Sequence, residues 1–187
     1  MKTKELVEIA LFAAIIGVLG FLPPIPLPFT PVPITLQNAG VLLAGMLLSV
    51  RAAMSSMILF VLLILAGAPI LGGGHGGAGA IFASVSGGFV LAWILEALVI
   101  SLILSRLKRA PLWLMILAGI VGGIFIVYPI GTLWQAALMH ISWGAALLMS
   151  GVFIPGDVVK AIVVALITVK LRDRVRIGGH LPQQTVK

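Results

Sequence analysis

Cysteine is absent from the 187 residues, which excludes disulfides, thiolate-bound metals and cysteine nucleophiles. Charge is scarce: 9% of residues are Asp, Glu, Lys or Arg, against about 25% in an ordinary soluble domain. Between Ile9 and Val169 only Arg51, Glu96, Arg106, Lys108, Arg109, Asp157 and Lys160 are charged. The spacing G-x-x-x-x-G-K-[ST] does not occur, so ATP hydrolysis through a P-loop is removed from the possible activities. What remains is apolar. The hydrophobic fraction is 61% and the mean hydropathy +1.25, and long apolar runs with few charges read as membrane helices of about 20 residues each.

The net charge of +7 and pI of 10.7 would suggest a nucleic-acid partner in a soluble protein. Here the basic residues gather in short loops and tails, the distribution that membrane topology alone produces, so the expected environment is a lipid bilayer and no nucleic acid. The start, MKTKELVEIALFAAIIGVLGFL, has a charged segment and an apolar run but two glutamates and no small-residue cleavage site before PPIP. It reads as an uncleaved first helix.

Helical segments are expected at residues 6–22, 34–49, 52–67, 88–104, 111–135 and 158–171. Six prolines between positions 23 and 33 predict a stiff, extended loop after the first helix. Arg51 divides a long apolar stretch into a tight helical hairpin. Eight of the seventeen residues from Gly72 to Gly88 are glycine. Residues 136–152 suit a short interfacial helix. The chain thus reads as all-α, one six-helix transmembrane unit over residues 1–187. Placing both termini in the cytoplasm puts Lys2, Lys4, Arg51, Arg106, Lys108, Arg109 and the run from Lys170 to Arg176 inside. The proline loop, the glycine loop and residues 136–157 then face outward. Lys160 is left over, and topology does not explain it.

Lys160 belongs to FIPGDVVK (153–160), where Asp157 and Lys160 stand three residues apart on one helical face. An ionisable residue at membrane depth marks a functional site by default. The plainer readings are an exposed ion pair worth about 0–1 kcal/mol and a helix-capping aspartate. The functional reading uses the lysine and the helix N-terminus for an anionic ligand. Thr35 and Gln37 in TPVPITLQ carry polar groups on the same outward side. Gly73, Gly74, Gly76 and Gly77 let backbone N–H groups come close to a ligand.

Three elements in order, PFTPVPITLQ (28–37), GAPILGGGHGG (67–77) and FIPGDVVK (153–160), resemble the BioY family, the biotin-specific S components of energy-coupling-factor (ECF) transporters. The resemblance implies an S-component fold, biotin binding at the outer face, and uptake across the bacterial cytoplasmic membrane with no cofactor of the chain's own. It implies a T component and two ABC-type ATPase subunits as partners, which alone would use ATP. It assigns vitamin binding to Asp157 and Lys160, and docking of the T component to the small residues Ala10 and Ala14, whose spacing lets helices approach closely in lipid. One segment departs from the pattern: ASVSGGF (83–89) keeps the glycine pair and an aromatic but lacks the family's usual Pro-Thr.

With biotin as ligand, Lys160 is expected to hold the carboxylate by a charge-assisted hydrogen bond. Asp157 either orients Lys160 or accepts a ureido N–H. Gln37, Thr35 and the glycine-loop backbone supply polar contacts, and Tyr128, Trp134 and Phe153 supply apolar walls. His75 reads as a solvated loop residue. Glu96 falls outside the motifs, and facing Arg106 or an inner contact with the T component are the roles considered. Two rivals keep the membrane fold: an S component for another carboxylated vitamin, and an intramembrane hydrolase casting Ser86 and His140 as nucleophile and base. The expectation is a binding protein rather than an enzyme.

Overall fold

The computed structural model describes residues 3–107 and 109–174, without the side chains of 173 and 174. Lys2, Lys108 and the polar tail from residue 175 lie outside the described residues. In chain order the elements are α1 (Thr3–Leu19), β1 (Ile25–Leu27), β2 (Thr30–Ile34), α2 (Gln37–Leu47), α3 (Val50–Leu65), α4 (Ala78–Phe82), α5 (Gly87–Ser105), α6 (Leu112–Ile120), a π-helical turn (Val121–Ile126), α7 (Val127–Met139), α8 (Trp143–Gly151) and α9 (Ile154–Arg174).

The six expected helical segments are all helical, with four corrections. The proline loop is not merely extended: β1 and β2 pair antiparallel, with Ile25 opposite Ile34 and Leu27 opposite Thr30. Proline survives there because a two-stranded ribbon leaves every second N–H unpaired. α2 starts only at Gln37 and has 11 residues, rising about 16 Å, roughly half the thickness of an apolar bilayer core. α9 begins at Ile154, ahead of the expected residue 158. Pro155 sits in its first turn, where the missing N–H costs nothing. Asp157 therefore lies inside the first turn, with its N–H on Phe153 O at 2.9 Å, and is not the helix cap. The glycine stretch, lastly, contains the short helix α4.

α6, the π turn and α7 run on as one apolar helix, Leu112–Met139. Pro129 explains the irregular turn, since its ring would clash with the carbonyl four residues earlier and donates no hydrogen bond. The widened turn at Val121–Ile126 absorbs the misfit and resets the helical phase just before Tyr128. By length and composition this helix and Gly87–Ser105 can each cross a membrane, and α8 with α9, bent by 55°, counts as a third such span. Large apolar side chains face outward, among them Phe125, Trp113 and Leu148, as suits a lipid-facing surface. Hydroxyls inside the helices are satisfied locally: Ser56, Ser101, Thr132 and Thr168 each donate to the carbonyl four residues earlier. The protein is an integral membrane protein.

Tight crossings use missing side chains. Gly40 meets Ile16 of α1, and Gly45 meets Ile100 of α5, so α2 is drawn against both. At one end of the bundle Arg172 donates to Ala110 O at 2.6 Å, joining the end of α9 to the loop that carries Arg106 and Arg109. At the other end Gly73 N–H reaches Gly20 O at 3.3 Å, joining the glycine loop to the end of α1. The basic loops and the polar loops thus lie at opposite ends, as the charge pattern requires.

Candidate functional site

The loop end encloses a cavity of about 670 Å³, within the range of small-molecule sites. β2, the glycine loop and α4 cover it. Phe89, Val90, Trp93, Val127 and Phe153 form apolar walls, and Phe89 meets Tyr128 edge to face at 6.4 Å.

Its floor is polar. Lys160 Nζ donates to Asp157 Oδ1 at 3.0 Å, and Tyr128 Oη donates to Oδ2 at 2.7 Å. The Asp157 and Lys160 side chains are each 17% exposed, so this is a largely desolvated pair and not the exposed one that spacing alone allows. Tyr128 was expected as an apolar wall. Its ring does line the cavity, but its hydroxyl holds Asp157, an interaction that depends on the π turn and has no signature in the sequence. Glu96 is fully buried in α5, and both its oxygens accept from Asn38 Nδ2, at 3.2 and 3.0 Å. It stands within electrostatic reach of Asp157 and Lys160. Neither expectation for Glu96 holds: it turns inward to Asn38, which lines the cavity. Sequence reasoning missed Asn38 altogether, although it follows Gln37 directly.

Gln37 bridges three segments. Its Nε2 donates to Ile16 O at 3.0 Å and Ile70 O at 2.9 Å, and its Oε1 accepts from Gly72 N–H at 2.7 Å. Both donor hydrogens are committed to the protein, and the residue anchors the glycine loop to α1. Thr35 lines the cavity. Of the four candidate glycines only Gly76 does so, together with Gly72 and Gly79. Gly73, Gly74 and Gly77 shape the loop instead, with φ of 82°, 77° and 86° that side chains rarely tolerate. Their N–H groups bond Gly20 O, Leu71 O and Ile64 O. His75 lines the cavity mouth and its Nδ1 lies 2.9 Å from Gly72 O.

Trp134 is not among the lining residues. Its Nε1 donates to Ser84 O at 3.1 Å, and its side chain packs where Gly88 has none. It thereby positions the variant segment 83–89, from which Ala83, Ser84, Ser86 and Phe89 face the cavity. Ser86 and His140 are not brought together: the Ser86 hydroxyl pairs with Ser84 at 2.8 Å, whereas His140 ends α7 in a left-handed conformation outside the cavity.

The model of the BioY family matches residues 1–177. The chain is a member of the BioY family. A probable biotin transporter BioY of Bacillus subtilis is 43% identical over 97% of both chains. The biotin transporter BioY of Rhizobium etli is also 43% identical, over 89% of this chain and 92% of its own. A crystal structure of the S-component for biotin from an ECF-type ABC transporter superposes with a TM-score of 0.87 at 36% identity, covering 94% of this chain and 96% of that one. The S component of a second bacterial ECF transporter, 19% identical, shares the fold with a TM-score of 0.56. In this BioY member Tyr128→Phe is expected to leave the fold intact. It would weaken ligand binding by about tenfold, since one neutral donor to a buried carboxylate is lost. Equilibrium binding with a thermal melt of each variant checks both halves.

Proposed function

We propose that the cavity binds biotin and that the chain is the substrate-binding S component of an ECF-type transporter, taking the vitamin up across a bacterial cytoplasmic membrane. The observation that carries the reading is the desolvated Tyr128–Asp157–Lys160 cluster beneath apolar walls, in a chain whose relatives are named biotin transporters. Biotin has the matching character: a polar cyclic urea, an apolar ring and chain, and a carboxylate.

The pairing of donors and acceptors supports one orientation. Asp157 and Lys160 line the cavity as a carboxylate and an ammonium, and Glu96 is buried behind them on Asn38. A ligand carboxylate there would compete with Asp157 for Lys160, whereas a urea brings N–H donors for Asp157 and a carbonyl for Lys160. The ureido ring is therefore assigned to the floor. The carboxylate is assigned to the mouth, beside Thr35, Gly76, His75 and the hydroxyls of Ser84 and Ser86. This replaces the expectation that Lys160 takes the carboxylate and gives Asp157 both of its open roles.

In this reading the chain is a binding component and not an enzyme, and it needs no cofactor of its own. Both termini are cytoplasmic. The face of α1 carrying Leu6, Ala10, Ala14 and Val18 is exposed, which supports its use as the docking surface for a T component. Two ABC-type ATPase subunits would supply the energy.

The test is calorimetric titration of the purified protein in detergent with biotin and with biotinamide, in which the carboxylate is neutral. Biotin should bind tightly and the amide within about tenfold of it, the modest cost of rim contacts. Failure of folded protein to bind biotin overturns the function. Tight biotin binding with a loss of about 100-fold or more for the amide would return the carboxylate to Lys160, where a buried charge-assisted bond is broken.

A further inference from the structure

Asn38 and Glu96 form a second polar pair at the cavity floor, separate from the Asp157–Lys160 motif. Glu96 has no cationic partner among the described hydrogen bonds and ion pairs, and its two oxygens both take the Asn38 amide. The amide nitrogen donates to the Glu96 carboxyl, so Nδ2 faces Glu96 and Oδ1 faces away. Asn38 itself lines the cavity. No described residue donates to its Oδ1, and that atom is not among the buried side-chain atoms left without a partner. It therefore opens onto the cavity. Gly123, also a lining residue, keeps the neighbouring wall thin: a Cβ there would sit 3.3 Å from Glu96 Oε1.

We propose that Asn38 is a specificity-determining residue whose Oδ1 accepts one N–H of the ligand's cyclic urea, and that Glu96 is the positioning residue that holds the amide in this orientation. The inference rests on the biotin reading above and completes its donor–acceptor match. A cyclic urea presents two N–H groups and one carbonyl. Asn38 Oδ1 and Asp157 accept the two N–H groups, and Lys160 donates to the carbonyl. Without Glu96 the amide is free to turn its Nδ2 toward the ligand, donor against donor. The pair thus explains an acid buried in an apolar helix with no ion pair of its own among the described residues. It also predicts discrimination against ligands that have the same chain and carboxylate but no N–H at the ring.

The experiment is calorimetric titration of the full chain in detergent with biotin and with its two mono-N-methylated ureido isomers. The proteins are wild type, Asn38→Leu, Glu96→Gln and Glu96→Leu, each checked by thermal melting. Asn38→Leu should weaken biotin by about 100-fold, the scale set by a site built around a hydrogen bond it has lost. One methyl isomer should be penalised in wild type and scarcely at all in Asn38→Leu. The other isomer should remain penalised in both, because its N–H belongs to Asp157. Such non-additivity between ligand and residue is the mark of direct contact. Glu96→Leu should reproduce the Asn38→Leu loss. Glu96→Gln, which keeps one acceptor for the amide, should stay within about threefold of wild type by the same logic of a retained hydrogen bond. A merely structural Glu96 would not change which isomer is penalised. If Asn38→Leu does not fold, Asn38→Ser serves in its place. Wild-type affinity in the folded Asn38 variant, or equal penalties for both isomers in every protein, overturns this inference while leaving biotin binding intact. Absence of biotin binding by wild type overturns the function and this inference together.

Discussion

Lys160→Ala is expected to lower biotin affinity by at least about 100-fold, because the change acts twice. It removes the charge-assisted donor proposed for the ureido carbonyl, worth about 1.5–3 kcal/mol. It also strips Asp157 of its cation at a site where each side chain is only 17% exposed. Leaving one member of a desolvated pair behind costs about 3–5 kcal/mol. Part of that cost falls on the unliganded protein, so the melting temperature should drop as well. Asp157→Asn separates the two terms. It keeps the shape and an acceptor for Tyr128 but leaves Lys160 without its 3.0 Å partner, so affinity should fall with a smaller steric disturbance. Calorimetric titration of the two variants and wild type measures this. Unchanged affinity in both folded variants would reduce the pair to a helix-end contact and remove it from the site.

Gln37→Ala should be the most destabilising single change at the cavity, because this lining residue has its amide committed to the backbone. Its side chain serves Ile16 O, Ile70 O and Gly72 N–H at once and is fully buried. Truncation leaves Ile70 O and Gly72 N–H without partners, each costing about 1–3 kcal/mol, takes one of two donors from Ile16 O, which keeps Gly20 N–H, and opens a cavity besides. The expected total is about 4–6 kcal/mol. With the anchor gone the glycine loop loses its tie to α1, so biotin should also dissociate faster. Thermal melts in detergent and a dissociation-rate measurement test the two effects. A melting temperature within about 2 °C of wild type would contradict this role, since 1 kcal/mol shifts a chain of this size by about 2–4 °C.

Both predictions concern residues that stand out in the linear chain, but for different reasons. Lys160 was conspicuous because no topological rule accounts for a lysine at that position, and the structure places it on Asp157. Gln37 was conspicuous only as a polar residue near an outward loop. Its identity says nothing of whether it meets a ligand or the backbone. That is settled by where α1 ends and where Ile70 passes, twenty-one and thirty-three residues away in sequence. Trp134 shows the same limit. An aromatic near a membrane surface reads equally well as a wall or an anchor, and the packing against Gly88 makes it an anchor. Tyr128 lay beyond periodicity, because a π turn before Pro129 changes the face on which it emerges.

The sequence by itself determined the membrane environment, the order of the helices, the end of the bundle that carries the polar loops and the Asp157–Lys160 pair. These follow from composition, from charge placement and from contacts at most four residues apart. Only the tertiary structure decided the half-length of α2, the turning of Glu96 onto Asn38, the hydroxyl of Tyr128 on Asp157 and the diversion of Gln37 to the backbone. The last three join segments far apart in the chain, and a partner across the bundle is chosen by packing geometry, which no local pattern of residues encodes.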